Sequence, residues 1–357
     1  MSTPRLLMLP ISDSRGASTR YRVLQHVEHL EAAGFATRVR YPLGLGRGGA
    51  GRVVCRVADM LRDVYATGDA SLLFVQRKTY VPGLAGRLRR QGRPVVFDMD
   101  DALDLPPPSA TASPANVRRY RANFEATVRV ADRVLCGNRF LASRLPHERY
   151  EILPTPIDTE RFAPGAVAPG NGRTAGWVGY SDNLPYLEAL AEPLREIARR
   201  HPGFRVVVVA DRPAVLPGVP TEFRRWRLED EVRCFGGIDV GLMPLEDSPW
   251  ARGKCAFKAI QYMALGIPAI ASPVGMNVEV IRDGENGLLA AAPGSWVEAL
   301  DGVLRDRERG ASLGAAGRRT IERDYALSVV SKRLVEILGG LLERSGGPQT
   351  TSSSRRA

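Results

Sequence analysis

The sequence predicts an α/β fold of two doubly wound domains facing each other across a cleft. Three observations carry this expectation. Short apolar runs alternate with amphipathic helical stretches along nearly all of the 357 residues, the pattern of parallel sheets covered by helices on both faces. The rhythm breaks once, at the Pro- and Gly-rich stretch 154–173, which reads as an interdomain linker. The length is that of about two ordinary domains.

In the first half, strands are expected at 5–11, 36–41, 71–76, 94–99, 133–137 and 150–154, with helical periodicity over 21–34 and 116–131. The alternation resumes after the linker with strands at 174–179, 204–210, 239–245, 268–272 and 287–291. The expected division is a Rossmann-like domain over 1–165 and a second over 166–330. A last helix over 331–346 is placed to pack back on the first domain, and 347–357 reads as a disordered tail. Open sheets of this kind bind ligands beyond the carboxyl ends of their strands, so the cleft is the expected site.

Composition removes several function classes. No apolar run approaches the roughly 18 uncharged residues of a membrane span, and the N-terminus reads as a first strand rather than a signal peptide. Cys55, Cys136, Cys234 and Cys255 lie far apart, without a CxxC pair or a histidine at ligand spacing. Reduced thiols, a cytoplasmic chain and no metal site are therefore expected. The net charge is +11, yet only Lys78, Lys254, Lys258 and Lys332 among the 50 basic residues are lysines. The arginines are scattered and no RNP, zinc-finger or basic-zipper pattern accompanies them, so nucleic acid is not an expected partner. Phosphate-bearing small molecules, with a lipid surface nearby, explain the charge better.

The chemistry concentrates in 239–277, which reads as strand, loop, helix, strand and a Gly-containing turn opening a short helix. Lys254, Lys258 and Gln261 are spaced by four and three, so they share one face near the start of the first helix. Phe257, Ile260 and Ala264 form another face expected on the sheet. Two of four lysines in five residues suggest ammonium groups wanted at this place; the alternative is a solvated basic face. With Arg252 they form a cationic cluster at a helix N-terminus, where N–H groups and the helix dipole favour an anion. Gly275 lets the backbone approach a ligand, and the N–H groups of Met276 and Asn277 are placed for a second phosphate oxygen.

The run GKCAFKAIQYMALGIPAIASPVGMNVEVIRDGENGLLA resembles the donor-binding block of the group 1 (glycogen-synthase-like) glycosyltransferases. RYRVLQHVEHLEAAGF, VVFDMDDALD, LCGNRFLASRL, ILPTPID and TAGWVGYSDNLPYL are similar to the same family, in its motif order, from about residue 5 to about residue 325. The resemblance implies a GT-B fold and transfer of a sugar from a nucleotide-diphosphate-sugar donor, held mainly by the second domain. It also implies an acceptor held mainly by the first domain, retention at the anomeric carbon, and neither metal nor other cofactor. The expected acceptor is a small molecule or glycan, as in envelope or lipid-linked glycans or natural products. A peripheral contact with the inner membrane face goes with that expectation.

Carried over residue by residue, Gln261 stands at the family's second glutamate, on the donor ribose, while the first falls at Gly253. Lys258 matches the variant form with a lysine three residues before that glutamate. After Trp177, Val178 and Gly179, the family's phosphate-binding arginine and lysine are replaced by Tyr180, Ser181 and Asp182. The diphosphate is therefore assigned to Arg252, Lys254 and Lys258. Gly16 stands where the family brings backbone to the donor phosphate, with Arg20 and Arg22 beside it as acceptor-side, phosphate-binding or helix-capping residues. Asp100 or Asp101 falls near a histidine that many members place beside the donor sugar; the alternative is a capping carboxylate.

Two rival readings rest on particular residues. The missing first glutamate suggests a non-catalytic sugar-nucleotide-binding subunit. VVFDMDDALD also resembles the nucleophile motif of the haloacid-dehalogenase phosphatases, with Asp98 attacking phosphate, or the Asp-x-Asp metal site of GT-A transferases. Tyr180 at a position needing a metal-binding carboxylate argues against the phosphatase, and a full second α/β domain argues against GT-A. Gly44, Gly46 and Gly49 satisfy GxGxxG, but no acidic residue follows the next strand, so a mobile acceptor-side loop is expected there rather than a dinucleotide site.

Overall fold

The structure is a computed structural model that describes residues 3–44, 50–107, 110 and 113–346. Gly46, Gly49 and the expected tail at 347–357 lie outside the described residues. The first sheet comprises β1 (Arg5–Leu9), β2 (Ala36–Val39), β3 (Leu72–Gln76), β4 (Val95–Met99), β5 (Arg133–Cys136) and β6 (Tyr150–Ile152). They pair in parallel in the order β2-β1-β3-β4-β5-β6. The second comprises β7 (Thr174–Val178), β8 (Arg205–Ala210), β9 (Thr221–Arg225), β10 (Val240–Met243), β11 (Ala269–Ala271) and β12 (Leu288–Leu289). Their order is β12-β11-β10-β7-β8-β9, also parallel. Central strands are apolar throughout, as in Val206–Val209, because helices cover both faces. This is the predicted α/β architecture, two doubly wound sheets in the GT-B arrangement.

Strand order reverses at β1 in one sheet and at β7 in the other. Those switch points open a crevice beyond each strand's carboxyl end. Ile11, Ser12 and Gly16 follow β1, Gly179 and Tyr180 follow β7, and all five line one cleft between the domains. The helix Leu327–Gly346 returns from the second domain to the first, where Val330, Leu334 and Leu338 are buried against Leu6, Met8 and Leu72. Ser331 Oγ lies 2.7 Å from His26 Nδ1 on that contact.

The helix expected over 21–34 is broken. A helix at Ala17–Arg22 and another at Val27–Ala32 flank a 3-10 turn at Leu24–His26. The break at Val23 leaves Arg22 buried on Asp98 at the end of β4 while Val23 and Leu30 stay in the core.

A clasp fixes one domain against the other beside the cleft. Asn138 caps the helix Arg139–Ser143 through Oδ1, 2.8 Å from Leu141 N, and its amide donates to Lys254 O (3.1 Å) and Arg252 O (3.3 Å) of the second domain. Cys255 Sγ sits 3.3 Å from Asp100 O. Gly253 packs so closely on the first domain that a Cβ there would come within 2.9 Å of Ala102 Cβ.

Candidate active site in the interdomain cleft

The cleft encloses about 550 Å³. From the second domain it receives Lys254, Lys258, Gln261 and Gly179; from the first, Gly16, Arg20, Asp100 and Asp101. Lys254 lies outside the helix, which begins only at Phe257 behind Ala256 in the left-handed region (φ 52°). The three polar side chains therefore reach one cavity from an irregular turn and a helix, not from a single helical face. The face expected to pack on the sheet divides as well. Ile260 and Ala264 are buried, while Phe257 leans across the cleft onto Tyr21, ring centres 4.3 Å apart.

Lys258 is the most perturbed cation here. Its ammonium stands 5.2 Å from the centre of the Trp177 ring, and burial, reinforced by the neighbouring Lys254 charge, lowers its pKa to about 7. Asp101, on the other side, is held above the usual carboxylate range by burial, against the pull of Arg77. Gln261 is buried and its helix carries it to the cleft wall. Gly179 has no room for a side chain, since a Cβ would come within 2.7 Å of Lys258 Cε.

Sequence reasoning missed the residue that organises the carboxylates. Arg77, held at φ 59° just after β3, lies 2.6 Å from Asp101 Oδ2 through NH2 and 3.3 Å from Asp100 Oδ1 through Nε. Ser18 Oγ donates to Asp100 Oδ2 and is itself 3.0 Å from Gln76 Nε2. Glu231 was equally invisible. It accepts an ion pair from Arg20 (2.5 Å) across the cleft and another from Arg161 (3.0 Å). A non-glycine residue in the left-handed region leaves no mark on a strand-like stretch, and both pairings are long-range.

Five predicted site residues lie elsewhere. Arg252 is exposed on the short helix Pro249–Arg252 and spends its guanidinium on Asp247, with contacts of 2.6 and 2.7 Å. Arg22 is buried behind the cleft wall, bound to Asp98 and 2.7 Å from Leu153 O, so no acceptor meets it. Gly275 adopts φ 55°, but a Cβ there would strike the Arg252 backbone at 2.6 Å; close packing explains it. Met276 and Asn277 are buried outside the cleft lining, and the backbone N–H of Asn277 donates to Val274 O at 3.2 Å. Asp98, the nucleophile of the phosphatase reading, is fully buried on Arg22 and cannot meet a substrate.

No group of three or more His, Cys, Asp or Glu side chains suited to a metal occurs among the described residues. All four cysteines are unpaired. No helix among the described residues is long and apolar enough to cross a membrane.

Comparison with known proteins agrees with this geometry. Residues 172–306 match the family model for glycosyl transferases group 1. A GDP-mannose-dependent alpha-(1-6)-phosphatidylinositol monomannoside mannosyltransferase of Mycobacterium tuberculosis is 25% identical over 57% of this chain and 59% of its own length. A D-inositol 3-phosphate glycosyltransferase of Nocardia farcinica is 27% identical over 47% of this chain and 42% of its own. The chain thus spans about half the length of the curated relatives it matches. Among solved structures, sucrose-phosphate synthase of Thermosynechococcus elongatus superposes with a TM-score of 0.74 over 96% of this chain and all of that one, at 14% identity. HepE of Anabaena, in complex with UDP-glucose, gives 0.67 over 94% of this chain and 99% of that one, also at 14%. Residues 172–306 thus resemble a glycosyl transferases group 1 domain, in a chain whose two parallel sheets have the GT-B fold.

Proposed function

We propose that this protein transfers a sugar from a nucleotide-diphosphate donor to an acceptor hydroxyl with retention at the anomeric carbon. The observation that carries the reading is the convergence of Lys254, Lys258 and Gln261 with Asp100 and Asp101 in one interdomain cleft. The two ammonium groups hold the donor diphosphate, and Gln261 accepts from one ribose hydroxyl and donates to the other. As the bond from the sugar to the diphosphate breaks, preformed cations stabilise the charge growing on the leaving oxygen. The acceptor oxygen bonds to the anomeric carbon on the face that the diphosphate leaves, and its proton passes to the leaving phosphate oxygen. No protein acid is needed, because diphosphate is already a good leaving group. Asp100 and Asp101 line the cleft beside the place of a sugar or acceptor hydroxyl, and Arg77 holds both carboxylates in place.

The reaction needs no metal in this account, so donor turnover persists in EDTA. Incubation with UDP- and GDP-sugars in EDTA tests it, through donor hydrolysis and the product's anomeric proton coupling. An inverted product contradicts retention, and full dependence on manganese or magnesium contradicts a protein cation site. The non-catalytic reading has one point in its favour, the lack of room for a carboxylate at Gly253. Donors bound but never cleaved are its signature.

The acceptor side also supports contact with a membrane. On the helix Ala50–Tyr65, Val54, Val57, Leu61 and Tyr65 are exposed and spaced as one stripe. Leu61→Asp is expected to reduce co-flotation with anionic vesicles and leave nucleoside diphosphate binding intact.

A further inference from the structure

A second chamber of about 490 Å³ adjoins the cleft, and the two share Ile11 and Arg77 as wall. Its lining includes Leu43, Met60, Leu103, Leu105 and Trp250. Trp250 comes from the second domain, so both domains bound the chamber.

Apart from the exposed Arg56, the charged groups at its wall are held in ion pairs. Lys78 Nζ lies 2.8 Å from both Asp59 Oδ2 and Asp63 Oδ2, and Tyr80 donates to Asp63 at 2.9 Å. Asp59 Oδ1 accepts from Arg62 at 2.9 Å and from Leu43 N at 3.3 Å. Away from Arg56, a sugar or phosphate placed here meets aliphatic and indole surface and salt bridges already made, whereas an apolar group displaces water from apolar wall.

We infer that this chamber receives an alkyl or aryl group attached to the acceptor, whose hydroxyl reaches the cleft past Arg77. The inference rests on the glycosyl-transfer reading above. It explains why the chamber meets the cleft at Arg77, the residue that holds Asp100 and Asp101. An acceptor with its apolar group beyond Arg77 presents a nearby hydroxyl beside those carboxylates and Lys258. The rest of the acceptor then points away from the donor.

The probes are methyl, octyl and phenyl β-glucosides below micellar concentration, titrated calorimetrically into the full chain. Each buried methylene is worth about threefold to fourfold in affinity, so octyl glucoside is expected to bind at least about tenfold more tightly than methyl glucoside. A phenyl advantage without an octyl one assigns the chamber to aryl groups. Leu105→Trp, which fills the chamber, is expected to abolish the gain, and Met60→Phe to reduce it. UDP and GDP titrations on the same samples report the donor cleft and the integrity of the fold. Equal affinity for all three glucosides, or an octyl gain that survives Leu105→Trp in protein with unaltered diphosphate binding, overturns the inference. Absence of UDP and GDP binding by the parent chain strikes instead at the transfer reading, and the glucoside series still decides the chamber.

Discussion

Lys258 illustrates what a single side chain can be asked to do in this cleft. An ammonium lowered to about pH 7 by burial and by Lys254 is uncomfortable in the empty protein and welcome only when an anion arrives. Between pH 7 and 10.5 the unfolded chain binds the proton that the folded chain releases. The group therefore costs stability in full below pH 7, and the cost fades as pH rises towards 10.5. Lys258→Met should accordingly raise the Tm of the empty protein at pH 6, with a gain that shrinks at pH 10, while donor turnover falls at least about 100-fold. A lower Tm at pH 6, or unchanged turnover, contradicts the assignment. Gln261→Ala should weaken nucleoside diphosphate binding by about 1–3 kcal/mol, the cost of hydroxyls left unpaired in a closed cleft. Gln261→Glu should be tolerated; calorimetry of UDP or GDP with both variants decides. These two residues were legible because lysine is scarce in the sequence and the spacing to Gln261 is short. Arg77, Ser18 and Glu231 were not, since they act through partners 24, 82 and more than 200 positions away, respectively.

At the scale of elements, most strands announced themselves and one did not. Strands such as β8 are continuous runs of branched apolar residues, which only a sheet covered on both faces accommodates. The edge strand β9, Thr221–Arg225, alternates exposed and half-buried residues with three charged side chains in five. It carries no apolar run, and its pairing with β8 is what makes it a strand. The helix after Lys254 was read one turn too early for a related reason. The local spacing fits a helix from 254, but Ala256 in the left-handed region and the docking of Asn138 on Lys254 O hold the preceding turn open. The positions read from the local pattern at Arg252, Gly275, Met276 and Asn277 lie outside the cleft lining, because Arg252 turns to Asp247 and Gly275 packs on the Arg252 backbone. The C-terminal helix gives this scale its prediction. Leu334 is buried against the first sheet, so Leu334→Ala should cost about 2–5 kcal/mol, as for a large aliphatic side chain lost from a core. Chemical denaturation measures it, and a loss under about 0.5 kcal/mol would show that the helix is dispensable to the first domain.

For the molecule as a whole, the account depends on two sheets whose switch points face one another, with the clasp at Asn138, Gly253 and Cys255 holding them in register. Much of that was legible: two alternating halves that form two parallel sheets, and a cleft expected where strand order reverses. The relation between the halves was not, because it rests on contacts such as Arg20 with Glu231 and Cys255 with Asp100, which pair residues from opposite sides of the linker. The central claim is that the donor diphosphate is held by protein ammonium groups in this cleft. The measurement that tests it most directly is calorimetry of UDP and GDP in EDTA, at pH 6 and pH 8, in buffers of different ionisation enthalpy, with the parent chain and Lys258→Met. The account predicts binding without added metal and net proton uptake at pH 8 that largely disappears at pH 6, because diphosphate restores the Lys258 charge only where the empty site has lost it. It also predicts that Lys258→Met removes the proton uptake and most of the affinity. Binding that requires a divalent cation, or a proton uptake at pH 8 that survives Lys258→Met, would contradict it.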